Sequence, residues 1–340
     1  MYLFTMPMNK TRKLTVLAAA LLALAVAAGA TASTKGTTLN LVAYSTPKPV
    51  MAKIIQAWQQ TPDGSGVNFS QSYGPSTNQA KAVAAGQPAD LVFLSTGDDV
   101  NLLVDAGLVD SKWNHQSYNG IAADTVVVFA VRDGNPKHIK GWPDLVKPGV
   151  QVVTPNPFSS GSAKWNILAA YGAERRLGKT DKQATAYVSN LFQHVVSQDT
   201  SGSNATNTFL SGKGDVLITY ESEAINAKLQ GKNLQYVIPR QTMLIELPIA
   251  PIKTSSNLAL AKSFIAYTKT APAQSLLAQY GYRPLLKSVA KKYRSRFPTR
   301  ALVRISNPMF GGWEKVNKRW FDPQHGIMIG IENAVGGPTG

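Results

Sequence analysis

The stretch VTPNPFSSGSAKWNILAAYG, residues 153–172, decides how the rest of the chain is read. It opens on the end of a β-branched run, Val150 to Thr154, is broken by Pro155 and Pro157, and continues from Ser162 as a helical pattern. Between run and helix stand small hydroxyl residues and one glycine. A strand, a short loop and a helix in that order form the unit of α/β sheets. A helix start exposes N–H groups that the helix itself leaves unpaired, together with the positive end of its dipole. Ser160, Gly161 and Ser162 therefore suit ordinary capping and, equally, the holding of an anion.

The same order recurs on both sides of this stretch. Leu39 to Tyr44 reads as a strand, followed after Pro47 and Pro49 by a helix carrying Val50, Ile54, Ile55 and Trp58 at helical spacing. Val67–Gln71 and Ala89–Leu94 read as further strands, Asn78–Ala85 as a short helix, and Asp98 as the cap of a helix that Gly107 ends. Downstream, Thr125–Val131, His194–Gln198, Asp215–Tyr220 and Leu234–Ile238 read as strands, and Leu258–Thr268 and Ala273–Tyr280 as helices. The pattern predicts α/β architecture with largely parallel sheets, in two lobes joined by crossing strands near Val127–Val131 and Thr242–Pro248. Lobe 1 is expected over 37–128 and 246–325, lobe 2 over 129–245, and a C-terminal tail over 326–340. A cleft between lobes is where ligands sit in such folds.

Four junctions share one composition: YSTPKP at 44–49, YGPSTN at 73–78, PFSSGSAKW at 157–165 and TSGSNATNT at 200–208. Each places Ser or Thr before a helical pattern, and three carry glycine where backbone can approach a ligand closely. Several such helix starts aimed at one point would hold an anion without lysine or arginine.

Lys10, Arg12 and Lys13 precede an apolar run from Leu14 to about Gly29 and then Ala30-Thr31-Ala32, the pattern of a cleaved export signal over 1–32. Its loss lowers the formal charge from +16 to +13, and about 308 residues remain, ample for two cores without disulfides. The chain has no cysteine, hence no thiol for a lipid anchor after the signal. A periplasmic or extracytoplasmic, freely diffusing monomer is expected. Leu247 to Trp313 contains eleven Lys or Arg and no Asp or Glu. A solvated face explains such a run, an anionic membrane surface would suit it, and no nucleic-acid module frames it.

The runs VTPNPFSSGSAKWNILAAYG, QSYGPSTNQAKAV, ATNTFLSGKGDVLITYESEA, VFAVRDGNPK with WPDLVKPGV, and FGGW at 310–313 resemble the periplasmic sulfate-binding proteins of sulfate and thiosulfate importers. The resemblance runs in order from about Leu39 to Trp320. It implies the two-lobed periplasmic-binding-protein fold, type II-like, with a dehydrated sulfate held in the cleft by neutral donors and delivered to a membrane ABC permease. Carried over residue by residue, it implies Ser160 through its hydroxyl, Gly161 and Ser162 through their N–H groups, Ser76, an N–H at about Gly202, and Ser45 where the first helix begins. Three positions depart from the family pattern. Ser162 stands for a second glycine, Ser45 for an aspartate, and Tyr220 for the indole donor of GDVLI-x-W, so that a hydroxyl able to accept replaces a donor.

Sulfate carries no proton near neutral pH, so a pocket of donors alone satisfies it, whereas hydrogen phosphate buries an unpaired O–H at a cost of about 1–3 kcal/mol. Thiosulfate, molybdate or tungstate, and phosphate are the competing ligands; Asp199, Glu221 and Glu223 near Gly202 and Tyr220 keep phosphate open. An exported hydrolase is the reading from another class, with Ser160 as nucleophile. No G-x-S-x-G frames that serine, and His115, His138, His194 and His325 are scattered without partners or zinc spacing. No cofactor is expected.

Overall fold

Strand β1 (Thr38–Tyr44) runs through Pro47 into helix α1 (Lys48–Trp58), whose buried stripe is Val50, Met51, Ile54, Ile55 and Trp58. The computed structural model describes residues 36–339, so the expected export signal lies outside them. Next come β2 (Asn68–Gly74), α2 (Ser76–Ala84), β3 (Leu91–Phe93) and α3 (Gly97–Asp105). Helix α3 is capped by Thr96, whose side chain accepts from the Asp99 N–H; Asp98, expected as the cap, lies in the first turn. The cap stands two residues earlier than expected, which leaves the carboxylates of Asp98 and Asp99 to other partners, Lys164 and Ser76.

The middle of the chain supplies β4 (Ile121–Val131), β5 (Val152–Pro155), α4 (Gly161–Arg176), α5 (Asp181–Gln193), β6 (Val195–Asp199), α6 (Gly202–Leu210), β7 (Val216–Tyr220), α7 (Glu221–Leu229), β8 (Gln235–Val237) and β9 (Gln241–Pro251). The last part adds α8 (Leu258–Thr268), α9 (Ala271–Gln279), α10 (Lys287–Lys292), β10 (Ala301–Val303), α11 (Trp313–Val316) and α12 (Ile327–Val335). The segment 326–340, expected as a tail, is thus helical over nine residues. Met328 is buried there, and the buried Glu332 accepts from Gln198 Nε2 at 2.7 Å.

The strands form a ten-stranded sheet in the order β2-β1-β3-β9-β4-β7-β5-β6, with β10 beside β9 and β8 beside β4. β1 pairs parallel with β2 and β3, and β5 with β6 and β7. The expectation of largely parallel sheets holds for those two groups and for β10 on β9, but not between the groups: β9 is antiparallel to β3 and β4, and β4 to β7 and β8. Both long strands run from one group to the other in opposite directions, and antiparallel pairing is the result. Their shared ladder spans Ile121–Val126 and Leu244–Pro248, somewhat earlier in β4 than expected.

Helix α4 is buried on every side from Gly161 to Glu174. Beyond the sheet, the FGGW segment covers it: Trp313 packs edge-on against Trp165 at 4.7 Å, and Phe310 lies 5.9 Å from Tyr171. Gly311 and Gly312, with φ of 72° and 92°, make the bend that turns both aromatic rings to the helix. A Cβ on Gly172 would stand 3.1 Å from the Phe310 ring, so the absence of a side chain there seats it.

Candidate functional site

The loop after β1, the start of α2, the loop after β3, the start of α4 and the start of α6 meet around one small cavity of about 10 Å³, room for about one water. Ser45 and Thr46 line it from the first, Pro75 and Ser76 from the second, and Ser95 from the third. Ser160 and Ser162 line it from α4, and Ser201 and Gly202 from α6. No lining residue carries a charge.

Glycine permits this convergence. A Cβ on Gly161 would stand 2.8 Å from Ser95 Cβ and 2.9 Å from Thr96 Cγ2, and one on Gly202 would stand 2.9 Å from Ser162 Oγ and 3.4 Å from Thr46 Cγ2. Two helix starts therefore approach their neighbours as closely as bare backbone allows. Among the described residues, the N–H groups of Gly161, Ser162 and Gly202 have no hydrogen-bond acceptor, as expected for first-turn positions.

The hydroxyls around the cavity bond to one another. Ser160 Oγ and Ser162 Oγ are 2.8 Å apart, and Ser95 Oγ and Tyr220 Oη are 2.6 Å apart, with either member able to donate. Thr46 Oγ1 is buried with no partner among the described residues. Ser76 differs: its hydroxyl accepts from the Ser95 N–H at 2.8 Å and donates to Asp99 Oδ2 at 2.5 Å, so its hydrogen is already committed. The part of Ser76 that can serve an anion is its N–H at the start of α2.

Charges stand behind the cavity and are neutralised there. Lys164, 4 % exposed, donates to Asp98 Oδ2 at 2.8 Å. Asp99 also accepts from Thr77 Oγ1 at 2.8 Å; burial raises its carboxyl, while Lys164 and the Ser76 hydroxyl pull the other way. Burial pushes the Tyr220 phenol well above its ordinary range, so it is a neutral hydroxyl, and pushes the Glu223 carboxyl up to about 7.

Of the seven residues expected at the site, Ser45, Ser76, Ser160, Ser162 and Gly202 line the cavity, Gly161 abuts its wall, and Tyr220 stands behind Ser95. The sequence reading missed Thr46, Ser95 and Asp99. Thr46 sits inside a junction already singled out and was legible; Ser95 lies at a strand end that carries no motif.

Residues 39–283 match the family described as bacterial extracellular solute-binding protein. The chain belongs to that family. This solute-binding protein is 38 % identical over 273 residues to the sulfate-binding protein of Salmonella typhimurium, covering 78 % of this chain and 82 % of that one. It is 33 % identical over 315 residues to the thiosulfate-binding protein of Pseudomonas aeruginosa, covering 89 % and 94 %. Among solved structures, the sulfate-binding protein SubI from Mycobacterium tuberculosis superposes with a TM-score of 0.81 at 44 % identity, covering 84 % of this chain and all of that one. The two-lobed periplasmic-binding-protein fold is thereby this protein's fold, and its named relatives are binding proteins, not enzymes.

Proposed function

We propose that this solute-binding protein captures sulfate where this cavity lies, its helix starts parting to admit an anion larger than the water-sized space between them, and delivers it to a membrane ABC permease on the outer side of the membrane, thiosulfate being the nearest competing ligand. The observation that carries the reading is the convergence of uncharged donors: the N–H groups of Gly161, Ser162 and Gly202, with hydroxyls from Ser160, Ser95 or Tyr220, and Thr46. The anion takes over the hydrogens that Ser160 and Ser162 now share. The relatives named for sulfate and thiosulfate support the ligand class. Seven or so charge-assisted bonds at about 1.5–3 kcal/mol each, less the cost of closing the lobes, reach the roughly 8 kcal/mol of a micromolar complex.

The lobes are 37–128 with 246–325, and 129–245, hinged where β4 and β9 cross between them, and the monomer is exported by the signal at 1–32. No Asp or Glu lines the cavity, which disfavours hydrogen phosphate.

Calorimetric titration of the chain from Ser33, freed of bound anion, tests the proposal with sulfate, thiosulfate, molybdate and phosphate in turn. One-to-one micromolar binding of sulfate with phosphate silent is expected. A response to molybdate or phosphate alone would reassign the ligand, and silence for all would remove the site. Ser160→Ala should weaken sulfate about 10-fold or more through loss of a charge-assisted bond, with little change in thermal midpoint.

A further inference from the structure

Ser95 has all three of its polar groups engaged, each with a different element. Its N–H donates to Ser76 Oγ at 2.8 Å, its Oγ is 2.6 Å from Tyr220 Oη, and its carbonyl accepts from Trp165 Nε1 at 2.7 Å. The residue is 1 % exposed and lines the cavity, and the start of α4 rests on its Cβ through the missing side chain of Gly161. Ser95 and Ser76 belong to the segment assigned to lobe 1; Trp165 and Tyr220 belong to that assigned to lobe 2. One small residue thus holds two hydrogen bonds across the cleft and one along its own side.

We infer that Ser95 is the positioning residue that ties anion capture to lobe closure, acting through Tyr220; the inference rests on the reading of this cavity as the anion site. The two hydroxyls share one hydrogen bond; with Tyr220 donating, Ser95, which lines the cavity, keeps its own hydrogen to aim at the anion. That hydrogen is aimed only when the lobes are together. An anion that binds it favours the closed form by that margin, as a differential contact must. Among the described residues, Tyr220, at the end of β7, has no other hydroxyl partner to orient it. The arrangement also explains how a phenol serves where the family pattern has an indole: Ser95 supplies the orientation that the fixed indole N–H has by itself.

The test measures sulfate affinity and sulfate-induced compaction, by small-angle scattering, for the wild type, Ser95→Ala, Tyr220→Phe and the double variant. Each single change is expected to weaken sulfate at least 10-fold and to leave the scattering radius nearer the unliganded value at saturating sulfate. The double variant is expected to lose no more than the larger single loss, because both changes break one pair. Losses that multiply, or full compaction in Ser95→Ala, would overturn the inference while leaving the anion site in place. Failure of the wild type to bind sulfate would overturn the reading beneath it. Should Ser95→Ala not fold, Tyr220→Phe decides alone: unchanged affinity and compaction would sink the proposal.

Discussion

Gly161 marks where α4 begins and where it meets the loop after β3. A methyl added there faces Ser95 Cβ at 2.8 Å and Thr96 Cγ2 at 2.9 Å, contacts that force either helix or loop to move. Gly161→Ala is therefore expected to lower stability by about 1–3 kcal/mol and to weaken sulfate at least 10-fold, read by thermal melting and calorimetry on the same preparation. Unchanged values in both would mean that the junction is looser than these contacts imply. Ser160, Gly161, Ser162 and Gly202 were legible because a helix start is a local event, written in consecutive residues. Ser95 and Asp99 were not. Their roles come from pairing with Tyr220 and Ser76 across 125 and 23 positions, and no spacing in a single sequence encodes that contact. Tyr220 was found only because a family motif surrounds it.

Helix α5 shows the opposite case, a signal present and passed over. Thr180 Oγ1 accepts from the Gln183 N–H at 3.3 Å and Gln183 Oε1 accepts from the Thr180 N–H at 2.9 Å, a reciprocal cap spelled T-x-x-Q in the sequence. Thr180→Ala should cost about 1 kcal/mol, seen as a lower denaturation midpoint with an unchanged slope and unchanged sulfate affinity. A change in affinity would show that α5 communicates with the cavity. The element order itself was readable from alternating strand and helix patterns. The antiparallel pairing of β4 and β9 was not, because direction is set by which half of the sheet each strand enters, and a buried apolar run looks alike in either orientation.

Across the whole molecule, burial pushes three carboxyls, Asp124, Glu223 and Glu332, up to about 7. Such a group holds its proton in the folded chain at a pH where the unfolded chain has released it. Folding then takes up protons between the ordinary carboxylate range and about pH 7, so stability falls as pH rises across that window. Asp144 and Asp181 are shifted down, and their contribution is lost only on stronger acidification. The melting temperature is expected to be higher at pH 5.5 than at pH 7.5, and Glu223→Gln should shrink the difference; scanning calorimetry at matched ionic strength would contradict this with a midpoint that climbs over the same interval. The ladder of β3 on β9 bears on how the chain comes to be folded at all. Leu91 pairs with Pro251, roughly 160 residues later in the chain. At about 5–20 residues per second of synthesis, the exposed edge of β3 waits on the order of 10–30 s for its neighbour. The first strands can pair with one another early but cannot complete their sheet until most of the polypeptide exists.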